Sequence, residues 1–310
     1  MDQWMRVNNI QLHYLDHSGS DPPLVLMPGL TANAHSFDGL IKVGLSPALR
    51  VLALDMRGRG LSDKPDSGYS MADHAADVLG LLDALKLQQV VLGGHSFGGL
   101  LAIYMAARYP GRVSKSVVID AAGKMHPELR KMIKPSVDRL GKVVPSWDAY
   151  LESMKKMPFL QGWWDTTIES YYRADVEIRN DGTVKPRSRP EAIIEAVDKA
   201  LNEDWAQHLA AIRQPMLLLN ALGSFGLPGA PPLLPREQAL ETVNAVALGR
   251  YIEVPGNHMT MLYGEGAQRM VAIFDYPPGK VKQDKNFFKV SKQKERSFAS
   301  FNEFLTISWQ

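Results

Sequence analysis

The chain has 310 residues, 45% hydrophobic and 22% charged, with a formal net charge of +2 and no cysteine. Such a composition argues against disorder and suits one large core with a smaller appended unit. It excludes disulfides, thiolate nucleophiles and cysteine-ligated metals, and so small a net charge advertises no nucleic-acid-binding surface over the body of the chain.

The opening "MDQWMRVNNIQLHYLD" carries an acid at position 2 and no apolar stretch of signal-peptide length, and no run of about 18 apolar residues follows anywhere. A cytoplasmic chain without a transmembrane segment is expected. Asn8 and Asn9 separate two strand-like stretches and predict an antiparallel hairpin at a sheet edge. Short apolar runs then recur at 24–29, 51–56, 90–96, 116–122, 216–221 and 251–258, alternating with helix-length amphipathic segments. That order predicts an α/β fold, a mostly parallel sheet with helices on both faces. Ser70, with Asp73 three residues on, predicts a capping-box start for the helix "MADHAADVLGLLDALKL".

The alternation breaks between Gly123 and about Ala206, where "KMHPELRKMIKPSVDRL", "WDAYLESMKKM" and "GWWDTTIESYYRAD" are helical in character and rich in Met, Trp and Tyr. The expected organisation is therefore a core domain formed by 1–122 and 206–277, a helical cap at 123–205 over the C-terminal edge of the sheet, and a tail at 278–310. The tail holds seven Lys or Arg against three acids and reads as a solvated basic appendage.

"GGHSFGG" contains Gly94-His95-Ser96-Phe97-Gly98, a G-x-S-x-G between an apolar strand and the helix-like "LLAIYMAARY". This is the context a nucleophile elbow requires, because Ser must sit in a strained turn and a Cβ at either flanking Gly would meet neighbouring backbone. With "LALDMRGRGLSDKP" and "LMPGLTANAHSF" in order before it, the chain resembles the α/β-hydrolase superfamily over roughly residues 5–275. The resemblance implies an eight-stranded sheet, a Ser nucleophile, a His after the last strand and a cap inserted after strand six.

A serine hydroxyl needs a base. Of eight His residues, His258 in "VPGNHMTM" follows the last predicted strand. His95 is expected to pack beneath the nucleophile, His35 and His126 to line the pocket, and His13, His17, His74 and His208 to be structural or exposed. By the same resemblance the amides of Leu30 and Phe97 form the oxyanion hole. Pro28 stands where a His-Gly pair is frequent, so the usual support for that loop's orientation is missing.

The acid that orients the histidine commonly follows the seventh strand, yet "QPMLLLNALGSFGLPGAPPLLP" (214–235) has no charged side chain. The next acid, Glu237, falls in an expected first helical turn and has a simpler reading there as a dipole-complementing residue. Asp120, closing "SVVID" at the end of strand six, is the preferred candidate. Glu237 is the alternative, and a histidine with no carboxylate partner is the third possibility. The polar run Asp55, Arg57, Arg59, Ser62 and Asp63 is expected to be structural.

No His/Glu cluster has metal-ligand spacing and no phosphate-binding G-x-x-x-x-G-K-[ST] occurs, so no metal or cofactor is expected. The expectation is a carboxylesterase-type serine hydrolase acting on a small-molecule ester, of small to medium size and apolar. His35, Trp147, Trp163, Trp164 and Met259 are candidates for substrate contact. Lactone or C–C bond hydrolysis uses the same parts, and a hydrolase-like ligand-binding receptor with little turnover is the rival from another class.

Overall fold

Asn8 and Asn9 adopt φ of 46° and 63°, the left-handed pair that a type I′ turn demands and that asparagine tolerates. The turn joins β1 (Asp2–Val7) to β2 (Ile10–His17), antiparallel, with Val7 opposite Ile10. This hairpin opens a computed structural model that describes residues 1–274. The basic tail at 278–310, and the last residues assigned to the core, lie outside the described residues.

The strands that follow are β3 (Leu24–Met27), β4 (Val51–Leu54), β5 (Val90–His95), β6 (Val113–Ile119), β7 (Val176–Ile178), β8 (Val184–Pro186), β9 (Met216–Asn220) and β10 (Gly249–Glu253). Eight of the ten strands among the described residues form one sheet in the order β1-β2-β4-β3-β5-β6-β9-β10. β2 meets β4 antiparallel, and every pairing beyond β4 is parallel. The helices are α1 (Asp38–Lys42), α2 (Leu45–Ala48), α3 (Met71–Ala84), α4 (Phe97–Arg108), α5 (Leu129–Asp138), α6 (Trp147–Lys155), α7 (Thr166–Asp175), α8 (Pro190–Leu201), α9 (Trp205–Ala211), α10 (Arg236–Asn244) and α11 (Gly264–Phe274). No helix among the described residues is long and apolar enough to cross a membrane.

β3 and β4 are apolar throughout, and β5, β6 and β9 carry apolar runs, because both faces of the central sheet are covered. Val25, Leu52, Leu92, Val118 and Leu218 pack with α3 and α4 on one face, while Leu24, Val51, Val91, Val117 and Leu217 pack with α11 on the other. α3 begins with the expected capping box: Ser70 Oγ accepts from the Asp73 amide at 3.2 Å and Asp73 Oδ2 accepts from the Ser70 amide at 2.9 Å.

Between β6 and β9 the chain leaves the sheet, and here the expectation of helices alone is corrected. β7 and β8 form a small antiparallel hairpin, closed by Asn180-Asp181-Gly182, with Gly182 at φ 81° and the Thr183 amide donating to Asp181 Oδ1 at 2.9 Å. The buried side chains of this insertion, Tyr150, Met154, Ile168, Tyr171 and Tyr172 among them, join the same apolar cluster as the α11 face of the sheet.

Candidate active site

Ser96 lies between the end of β5 and the start of α4 with φ 54° and ψ −117°, a conformation that non-glycine residues adopt at a cost of order 1–3 kcal/mol. Its neighbours permit it. A Cβ on Gly94 would stand 2.0 Å from the Gly98 carbonyl oxygen, and one on Gly98 would stand 2.0 Å from the Met27 carbonyl oxygen. Strand, turn and helix thus close on one another only through bare backbone. The Ser96 amide donates to the Ile119 carbonyl of β6 at 2.8 Å, and the Gly98 amide to the Pro28 carbonyl at 3.1 Å. The second bond ties the helix start to the 28–30 loop. The Phe97 amide heads α4 and has no intrahelical acceptor; neither it nor the Leu30 amide has an acceptor among the described residues.

His258 is buried on the turn that follows β10, where Gly256 takes φ 102°. Asn257 braces that turn: its Oδ1 accepts from the Met259 and Thr260 amides at 3.0 and 2.9 Å, and its Nδ2 donates to the Phe159 carbonyl at 2.8 Å. His258 Nδ1 lies 2.6 Å from Asp120 Oδ2. The Phe225 ring stands edge-on to the imidazole at 5.5 Å and the His95 ring lies 4.5 Å away. His95 Nε2 donates to the His258 carbonyl at 2.7 Å, and burial holds the His95 imidazole well below its ordinary pKa, so it stays neutral.

Asp120 is fully buried at φ 52°, just beyond β6. Besides His258 it has two donors on Oδ1, Asn220 Nδ2 at 2.7 Å and the Ala221 amide at 2.9 Å. Burial of a carboxylate demands such partners, and its two oxygens meet three polar groups. With His258 donating from Nδ1 to this carboxylate, the lone pair of the neutral ring lies on Nε2. Glu237 sits exposed in the first turn of α10 and makes no contact with His258.

The other candidates are scattered. Trp163 lines a cavity of about 330 Å³ together with Phe159, Gly223, Gly256 and Asn257, and Met259 is the chain neighbour of His258. His35 Nδ1 bonds Asp38 at 3.0 Å; burial pulls its pKa down, but the Asp38 bond and charge outweigh burial and raise it. Trp147 packs on Tyr150 and beneath Arg173, and Trp164 stacks on Tyr172 at 5.7 Å. These contacts hold the insertion together and do not reach Ser96 or His258. His126 borders a separate groove of about 490 Å³ beside Leu129 and Leu201.

Sequence reasoning missed Asn220 and Asn257, whose only signals are an amide ending an apolar strand and an Asx-type residue before the histidine. In the 55–63 loop, Arg57 pairs with buried Asp77 at 2.5 and 2.6 Å, while Asp55 accepts from the Ala34 and Leu61 amides and bonds His13. Arg59 has no carboxylate partner among the described residues, although it is completely buried.

Residues 22–240 match the family model described as alpha/beta hydrolase fold, and the chain belongs to that family. It is 35% identical over 136 residues to 2-(acetamidomethylene)succinate hydrolase of Mesorhizobium japonicum, covering 43% of this chain and 49% of that protein. It is 30% identical over 219 residues to N-formylmaleamate deformylase of Pseudomonas putida, covering 69% and 75% respectively. The crystal structure of E-2-(acetamidomethylene)succinate hydrolase shares the fold, with a TM-score of 0.73 and 24% identity over 87% of this chain and 96% of that one. In sequence, the match spans about half the length of the first of these curated relatives.

Proposed function

We propose that this α/β hydrolase is a serine carboxylesterase that cleaves small to medium apolar esters through an acyl-enzyme. Ser96 is the nucleophile, His258 the general base and then acid, Asp120 the carboxylate that orients it, and the Leu30 and Phe97 amides the oxyanion donors. The observation that carries the reading is the 2.6 Å bond between His258 Nδ1 and Asp120 Oδ2, with the imidazole 4.5 Å from the ring of His95, the residue before a serine held at φ 54°. As Ser96 Oγ bonds to the carbonyl carbon, its proton passes to His258 Nε2. The negative charge moves to the carbonyl oxygen, where each amide contributes on the order of 3 kcal/mol. Collapse expels the alcohol, protonated by His258, and a water repeats the cycle to free the acid. These steps call on no metal or cofactor. The insertion acts as a cap whose Trp163 and Met259-facing side supplies apolar contact.

A second reading, cleavage of an N-acyl bond, is favoured by the match to a deformylase over 69% of the chain. The same machinery serves lactones and C–C bonds. Turnover of p-nitrophenyl acetate, butyrate and octanoate, beside an N-formyl amide, a lactone and a cleavable diketone, separates these readings. Ser96→Ala should lose about four or more decades in kcat on the ester series. No Ser96-dependent ester turnover at any chain length sinks the esterase reading in favour of another acyl substrate or of a binding protein.

A further inference from the structure

Arg59 is the odd residue of its loop. Its side chain is completely buried, and among the described residues no carboxylate pairs with it and Nη2 has no hydrogen-bond partner. Its two bonds both go to backbone carbonyls: Nε donates to Leu30 at 2.5 Å and Nη1 to Arg57 at 2.8 Å. The guanidinium lies 4.8 Å over the Phe97 ring. Thus one cation touches both residues whose amides are assigned to the oxyanion. His74, edge-on to the same ring at 5.1 Å, is held neutral by burial and by the nearby Arg59 and Arg57 charges. Burial pulls Arg59 down to about 9, so at pH 7 it remains charged.

A buried charge without a partner costs several kcal/mol, and an apolar side chain of similar volume is usually no worse for stability. Packing alone therefore gives no reason for an arginine here. The loop it grips does: Pro28 stands where, by the resemblance to the α/β-hydrolase superfamily, a histidine often helps to orient the loop, and the Leu30 amide must face the reacting oxygen within a few tenths of an ångström to be useful. We infer that Arg59 is a positioning residue for the oxyanion hole, clamping the Leu30 carbonyl so that the Leu30 amide faces the oxyanion, and leaving its uncompensated positive charge beside the place where negative charge develops. The inference rests on the serine-hydrolase reading above and names the support of that site.

Arg59→Met and Arg59→Lys, with Gly111→Ala as a surface control, test it through two readouts. The first needs no turnover: amide hydrogen exchange across residues 29–32, followed by mass spectrometry, is expected to run at least about tenfold faster in Arg59→Met. The second is the kinetics of p-nitrophenyl acetate and of the mono-p-nitrophenyl ester of succinic acid. Arg59→Met should lower kcat on both by about 10- to 100-fold with KM changed less than about twofold, as expected for loss of an interaction made only in the transition state. Arg59→Lys, which keeps the charge and one donor, should recover at least a third of the loss on a logarithmic scale. The thermal midpoint of Arg59→Met should stay within a few degrees of wild type. Unchanged exchange overturns the inference, whatever the kinetics. So does a midpoint that falls in step with activity, which marks a plain structural staple. A rise in KM confined to the carboxylate-bearing ester also overturns it and assigns Arg59 to an anion subsite instead. Wild type with no Ser96-dependent turnover counts against the ester reading alone, since the exchange arm still decides the clamp.

Discussion

Asp120 and Glu237 compete for one role in the sequence, and their surroundings separate them. Glu237 is solvated on a helix end, whereas Asp120 is wholly buried and accepts from Asn220, Ala221 and His258. The uncharged stretch 214–235, which holds β9, looked from sequence like a missing part. Its Asn220 and Ala221 are instead donors to Asp120 one strand away, and its Phe225 packs against the imidazole. Strand order made Asp120 legible, because β6 lies between β5 and β9 in the sheet. The Asn220 bond was not legible, since an amide at a strand end has many uses and only the parallel register brings it opposite Asp120. Asp120→Asn should lower kcat by about three to four decades, because the amide no longer stabilises the imidazolium or fixes its tautomer. Glu237→Gln should leave kcat within about twofold. Steady-state kinetics on one ester decides between them, and the reverse pattern moves the acid to α10.

At the scale of elements, the elbow is a packing solution whose cost falls on glycine. The pattern G-x-S-x-G was readable because both flanking glycines answer to sterics, and the close approaches at Gly94 and Gly98 are what make it so. The N-terminal hairpin and the α3 cap were readable for the same kind of reason, as each turns on one or two residues with a local backbone preference. The β7–β8 hairpin carried the same sort of signal in Asn180-Asp181-Gly182, but aromatic helix-like segments on either side masked its three-residue strands. Gly98→Ala puts a methyl 2.0 Å from the Met27 oxygen, so α4 must retreat from β3 by about an ångström to restore ordinary contact. Overpacking of this kind costs about 1–3 kcal/mol, and a shift of that size at the proposed oxyanion donors should cost about a hundredfold in kcat. Gly111→Ala, at an exposed glycine with nothing within 4 Å, should change neither the urea midpoint nor kcat. Equal behaviour of the two variants would remove the steric account of the elbow.

Across the whole molecule, the insertion between β6 and β9 shares its apolar cluster with one face of the main sheet. It is also tied to the site loops, through Asn257 Nδ2 to the Phe159 carbonyl at 2.8 Å and Asn33 Nδ2 to the Tyr171 carbonyl at 3.3 Å. Phe159 stacks on Phe225 at 4.9 Å, which in turn touches His258. Inside the insertion, Arg139 beyond α5 pairs with Asp175 at the end of α7, and both bond the Tyr150 hydroxyl of α6. Burial opposes the Arg139 charge, but Asp175 beside it raises the guanidinium well above its ordinary pKa. Asp175→Asn leaves that charge buried without its counter-ion, which costs about 3–5 kcal/mol. Because the two regions share one cluster, this loss should appear as a single urea transition shifted as a whole, with tryptophan fluorescence and far-UV circular dichroism moving together. A separate early fluorescence transition would instead show the insertion to be a unit that unfolds alone. The loosened insertion should also raise KM several-fold with a smaller fall in kcat, since apolar contact with the substrate is weakened while the His258–Asp120 pair, held by β6 and the turns after β9 and β10, keeps its partners.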